Sequence, residues 1–179
     1  MHVFLTGTVQ SGKSTAILSV IRQAKEKVGG FCTAFGEGRG TAQWNLYLFP
    51  ASGAPIFDEA HVVARFQRGN PPHAIPSRFE SLGVPLLEEA AETAQLIIMD
   101  ECGRLEGEAT AFQNKVLELL DGETPVLGVI RRDFNDWTET IAQHPNVQVV
   151  QLTQENRDAL PAMLLAWLNA PTLTKLGGK

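Results

Sequence analysis

The stretch Phe4-Leu5-Thr6-Gly7-Thr8-Val9-Gln10-Ser11-Gly12-Lys13-Ser14-Thr15, FLTGTVQSGKST, lies near the start of a chain of 179 residues. An apolar run stops at Gly7, and Gly12 is followed at once by a lysine and two hydroxyls. Gly7 to Ser14 fits the spacing G-x-x-x-x-G-K-[ST], which carries meaning only between a strand and a helix. Here His2–Thr6 reads as a short buried strand. Ser14–Lys27 reads as a helix whose apolar stripe is Ala16, Ile17, Val20, Ile21 and Ala24, with Gly29-Gly30 as its stop signal.

In that setting the residue types have a chemical reason. Gly7 and Gly12 let the backbone curl, so that the amides of Thr8, Val9, Gln10 and Ser11 turn inward on phosphate oxygens. The helix start adds its positive dipole end. Lys13 can reach the β- and γ-phosphates, the Ser14 hydroxyl can ligate Mg²⁺, and Thr15 can help at the α-phosphate. The plainer alternative is a surface turn with a solvated lysine.

Binding phosphate is not hydrolysis, which also needs an acid for the metal and a group that orients water. Leu96-Ile97-Ile98-Met99-Asp100-Glu101 offers both. Gln95–Met99 is a continuous apolar run, the pattern of a strand buried on both faces of a parallel sheet. It delivers Asp100 to the carboxyl edge, where ligands sit in open α/β sheets. Asp100 is the metal candidate with Ser14, and Glu101 the group that polarises water; a helix-capping acid pair is the alternative. Two adjacent acids favour hydrolysis over phosphoryl transfer. They also favour a sheet in which the fourth strand, Pro125–Ile130, lies between the first and third. Arg131 and Arg132 follow that strand and read either as a surface pair or as contacts to the γ-phosphate, with Arg131 the catalytic candidate.

Elsewhere strands and helices alternate. Phe31–Phe35 and Trp44–Phe49 read as an antiparallel hairpin about the turn Gly36-Glu37-Gly38-Arg39-Gly40, and Val62–Phe66 as an edge strand. Ser77–Thr93 is a helix interrupted near Gly83 and Pro85. Glu108–Leu120, Trp137–Gln143 and Glu155–Leu168 are further helices, and Val147–Leu152 is the last strand. The whole reads as one domain over 1–179 with a frayed tail at 170–179. Its class is α/β: a doubly wound, mostly parallel sheet with an antiparallel hairpin, a three-layer sandwich.

A net charge of −5 argues against nucleic acid or an anionic membrane as the main partner. Two cysteines, Cys32 and Cys102, and four histidines form neither a disulfide scaffold nor a metal-ligand spacing. The apolar start is short and lacks a basic region, and no apolar stretch approaches a membrane span of ~20 residues. A cytoplasmic protein, monomeric or weakly oligomeric, is expected.

Further motifs surround this frame. Asp100-Glu101 continues as Cys102-Gly103-Arg104-Leu105-Glu106, and Gly29-Gly30-Phe31-Cys32-Thr33 opens the second strand. Pro85-Leu86-Leu87-Glu88-Glu89-Ala90 precedes the paired acids, and Thr153-Gln154-Glu155-Asn156-Arg157-Asp158-Ala159-Leu160 follows the last strand. Together they resemble the small thermophilic-type nucleoside-triphosphatases, P-loop NTPases whose relatives include a human cancer-related enzyme. The resemblance implies Mg²⁺-dependent hydrolysis of ATP, GTP and other nucleoside triphosphates to diphosphate and phosphate, with a relaxed choice of base. The chain departs from that family at Val9-Gln10-Ser11, where Pro-Gly is usual, and in a less basic hairpin turn. Asn156 and Arg157 read as base contacts, or as a turn former and a partner of nearby acids. A P-loop kinase of a nucleotide or small metabolite, and a nucleotide-gated binding protein, are the competing functions.

Overall fold

The computed structural model describes residues 1–8, 11–131 and 136–170. Val9, Gln10, Arg132 and the tail over 171–179 lie outside them.

Eight strands form one sheet in the order β5-β4-β3-β2-β6-β7-β1-β8. Strands β1 (His2–Thr6), β6 (Leu96–Cys102) and β7 (Val126–Ile130) occupy its middle and are buried almost throughout. Their unbroken apolar runs need cover on both faces, and helices supply it. Helices α1 (Lys13–Gln23) and α6 (Leu160–Leu168) close one face through Ile17, Val20, Leu160 and Leu164. Helices α3 (Val84–Thr93), α4 (Thr110–Leu120) and α5 (Asp136–Gln143) close the other through Leu87, Phe112, Val116, Trp137 and Ile141. This is the doubly wound three-layer arrangement expected. β1 pairs in parallel with β7 and with β8 (Val147–Gln151), and β6 pairs in parallel with β7 and with β2 (Val28–Phe35). The fourth parallel strand therefore lies between the first and the third, the order that the paired acids favour.

The wing beyond β2 is antiparallel. β3 (Gln43–Pro50) pairs with β2 and β4 (Val62–Gln67), and the two-residue β5 (His73–Ala74) takes the outermost place expected for Val62–Phe66. The expected kink before Thr93 is a single turn, α2 (Pro76–Arg78), then a π-helical turn over Phe79–Gly83 that runs into α3.

Two helix boundaries differ from expectation. α1 stops at Gln23 because Ala24 is already extended (ψ 136°), so Gly29 and Gly30 lie inside β2 and do not end the helix. α6 starts at Leu160, not Glu155, because the segment after β8 forms a turn held by Asn156. Among the described residues no helix is long and apolar enough to cross a membrane.

Candidate active site

β1 ends at Thr6 and α1 begins at Lys13, so the glycine loop joins a buried strand to a helix start at the sheet's carboxyl edge. Gly12 sits at φ 103°, a left-handed conformation that a side chain would strain, and its carbonyl accepts the first helical bond from Ala16 N at 2.9 Å. Lys13 is only 7 % exposed. Its Nζ donates to the carbonyls of Gly7 (3.0 Å) and Thr8 (2.8 Å) and to Ser11 Oγ (3.4 Å). The loop wraps its own ammonium at the place where a lysine bound to phosphate would act.

Asp100, near the end of β6, is 3 % exposed, and Ser14 Oγ donates to its Oδ1 at 3.3 Å. The contact joins residues 86 positions apart and sets the carboxylate beside the first turn of α1. Burial pushes the Asp100 carboxyl up to about 7, with Glu101 adding repulsion; the Ser14 hydroxyl and the Lys13 ammonium oppose both.

Half-buried Glu101 pairs with Arg131 Nε at 3.5 Å. Arg131 is held there by its own amide, which donates to Cys102 O at 2.9 Å where the pairing of β6 with β7 shifts register. The peptide between Asp100 and Glu101 is cis.

Beyond β6 the chain makes one tight turn. Gly103 N donates to Glu106 Oε2 at 2.7 Å, Trp137 Nε1 donates to Gly103 O at 2.7 Å, and Gln113 Nε2 to Glu106 O at 2.7 Å. Glu106 is 3 % exposed, and burial pushes its carboxyl up to about 8. Sequence reasoning gave Glu106 no role. The available signal was a glutamate closing the Gly-x-x-Glu that starts one residue after the paired acids.

The loop, the paired acids, Gly103, Glu106 and Arg131 line one cavity of ≈ 1220 Å³. The structure brings Gly7, Thr8, Ser11, Gly12, Lys13, Ser14, Thr15, Asp100, Glu101 and Arg131 to its wall. It does not bring Asn156 and Arg157 there. Asn156 Oδ1 accepts from Thr153 N at 2.9 Å and its Nδ2 donates to Gln151 O at 2.9 Å, so the amide is spent on its own turn. Arg157 is exposed and pairs with Asp158 at 3.3 Å. On the wing side the wall is formed by Phe35, Leu46 and Phe66 with Arg39, none of which sequence reasoning singled out.

A family model described as NTPase matches residues 2–165. Among curated relatives, a nucleoside-triphosphatase THEP1 of Thermotoga maritima is 25% identical over 174 residues, covering 94% of this chain and 95% of its own length. One of Methanocaldococcus jannaschii is 26% identical over 164 residues, covering 89% and 92%. The crystal structure of THEP1 from Aquifex aeolicus superposes with a TM-score of 0.76 at 24% identity, covering 95% of this chain and 100% of that one. The solution structure of a human cancer-related nucleoside triphosphatase gives 0.74 at 23%, covering 96% and 98%. The likeness to these two structures is one of fold.

Proposed function

The chain belongs to the NTPase family and is a hydrolase of nucleoside triphosphates, and we propose that it releases inorganic phosphate from Mg²⁺-bound ATP, GTP and other nucleoside triphosphates at the loop of residues 7–15. The observation that carries this reading is the Ser14–Asp100 contact of 3.3 Å. It places a hydroxyl and a carboxylate side by side, within the field of the loop lysine.

That donor pair suits Mg²⁺, which takes oxygen ligands, needs only one or two from protein, and completes its shell with phosphate and water. A cation held by Ser14 and Asp100 would take its remaining ligands from phosphate and water. The buried Asp100, whose carboxyl is pushed up with an acid beside it, is a group that a cation would relieve. When bound, Mg²⁺ would neutralise charge on the β- and γ-phosphate oxygens.

The chain's own groups do the rest. Lys13 exchanges the Gly7 and Thr8 carbonyls for phosphate oxygens, and the loop amides and the start of α1 hold the chain of phosphates. Glu101 accepts a proton from the attacking water and aligns it. Arg131, already paired with Glu101, can turn its guanidinium to the charge that builds on the terminal phosphoryl group. The nucleoside leaves the cavity toward Gln151 at the end of β8.

The test is phosphate release from a panel of nucleoside triphosphates, with and without Mg²⁺, for wild type and Glu101→Gln. Glu101→Gln should keep nucleotide binding and lose about 10²- to 10⁴-fold in turnover. Wild-type turnover in that variant would remove Glu101 from the mechanism, and equal rates with and without Mg²⁺ would remove the metal.

A further inference from the structure

The cavity is larger than its phosphate end requires. A pocket for one drug-sized ligand spans roughly 300–1,000 Å³, and this one spans ≈ 1220 Å³. Sheet topology explains the excess. Cys32 on β2 is in register with Asp100 on β6, and the two strands run parallel. Thr33, Ala34 and Phe35 therefore continue past Asp100 on one side of β6, while the glycine loop, which follows β1, lies on the other side, beyond β7. The cavity thus has two arms that meet at Asp100 and Glu101. One runs along the loop to Gln151. The other runs out along the wing to Phe35, Arg39 and Phe66, and is faced by Arg104 and Leu105 from the turn after β6.

On the reading above, the terminal phosphate lies at Ser14, Asp100, Glu101 and Arg131, and the rest of the nucleotide extends back along the loop. The wing arm then lies beyond the terminal phosphorus, where no part of that substrate reaches. Its walls have a definite chemistry. Phe35 and Phe66 meet edge to face with centroids 5.2 Å apart, and Phe66 is backed by Trp44, stacked at 5.6 Å. The Arg39 guanidinium lies 4.3 Å over the Phe35 ring. Neither Arg39 nor Arg104 has a carboxylate partner among the described residues, although acids outnumber bases in the chain 20 to 15.

Two exposed guanidiniums beside an aromatic wall match a planar ring that carries a dianion. Guanidinium binds phosphate through paired N–H donors, and aromatic side chains accept any base face. We propose that the wing arm is a second ligand site that takes a nucleoside monophosphate. Its phosphate lies between Arg39 and Arg104, and its base lies against Phe35 and Phe66. The site rests on the phosphate-loop reading for its position, and on Arg39, Arg104 and the aromatic wall for its chemistry.

The experiment is calorimetric titration of AMP, GMP, CMP and UMP into the full chain, once alone and once with saturating ADP and Mg²⁺. The same titrations are run on the double variant Arg39→Ala/Arg104→Ala, with its melting temperature as the control for folding. The expected result is one monophosphate bound per chain in the presence of ADP, with affinity reduced about 100-fold or more in the double variant. Adenosine and uridine, which lack the phosphate, should bind far more weakly. Three results overturn the site: no monophosphate binds, binding is lost when ADP fills the loop, or the double variant binds as well as wild type. If ADP fails to bind while a monophosphate binds in the arginine-dependent way, the wing site stands and the phosphate-loop reading falls.

Discussion

Glu106 should make the folded chain lose stability as the pH rises. The side chain is 3 % exposed, and its main fixed partner is the Gly103 amide at 2.7 Å. Burial pushes the carboxyl from its ordinary 4.5 to about 8; repulsion from Glu101 adds to this, and the Gly103 amide and the Arg131 guanidinium oppose it. Between those two values the folded chain keeps a proton that the unfolded chain gives up. For a group raised on folding, the stabilising contribution is complete below about 4.5 and is lost as the pH climbs through about 8. At about 1.4 kcal/mol per pH unit over that window, the loss is on the order of 5 kcal/mol. Glu106→Gln keeps the shape and an acceptor for Gly103 N–H but cannot ionise. Urea unfolding at a series of pH values, without nucleotide, should show the two proteins close together near pH 5. Above pH 8 the variant should be the more stable by a few kcal/mol. Asp100, also pushed up, contributes the same slope to both proteins, so their difference isolates Glu106. Parallel stability curves from pH 5 to 8.5 would refute the argument.

His2 should act in the opposite sense. Val126 N–H donates to its Nδ1 at 3.1 Å, which leaves Nε2 as the donor to Leu120 O at 3.0 Å, and burial lowers the ring to about 4. Its contribution is present above pH 6.5 and lost as the pH falls toward 4, about 3 kcal/mol in all; thermal melts of His2→Gln should lose less than wild type between pH 7 and 4, and an equal loss would contradict this. In the core, Phe112 is fully buried and its ring meets Phe31 at 5.3 Å, Phe79 at 5.9 Å and Trp137 at 6.4 Å. Phe112→Ala should cost about 3–5 kcal/mol in denaturant unfolding and Phe112→Leu much less, whereas a loss under about 1 kcal/mol for the alanine would show that α4 repacks.

The uneven legibility of this chain follows from how far apart the parts of each feature lie. The glycine loop is local: a strand, a turn and a helix start fit within the first 23 residues, and backbone amides with one lysine supply its chemistry at fixed spacing. The Asp100 strand is local too, since an unbroken apolar run ending in two acids has few other places to go than the middle of a parallel sheet. Gly29 misled because its reason is not local. A Cβ there would come within 2.8 Å of Ala90 Cβ, so the glycine admits α3 against β2 and has nothing to do with stopping α1. Asn156 shows a local signal with two meanings, a polar residue just past a strand, and the fold gives its amide to its own turn. The wing arm gave only scattered signals, Arg39 in the hairpin turn and Arg104-Leu105 after the paired acids, and nothing in their spacing joined them. It is assembled from residues 33–35 with 39, 46, 66 and 104–105, four segments with no common spacing, brought together because β2 overruns Asp100 and the hairpin folds back beside it. A phosphate grip can therefore be read from a short string, whereas the surface that faces it across the terminal phosphorus depends on the register of strands that sequence patterns do not encode.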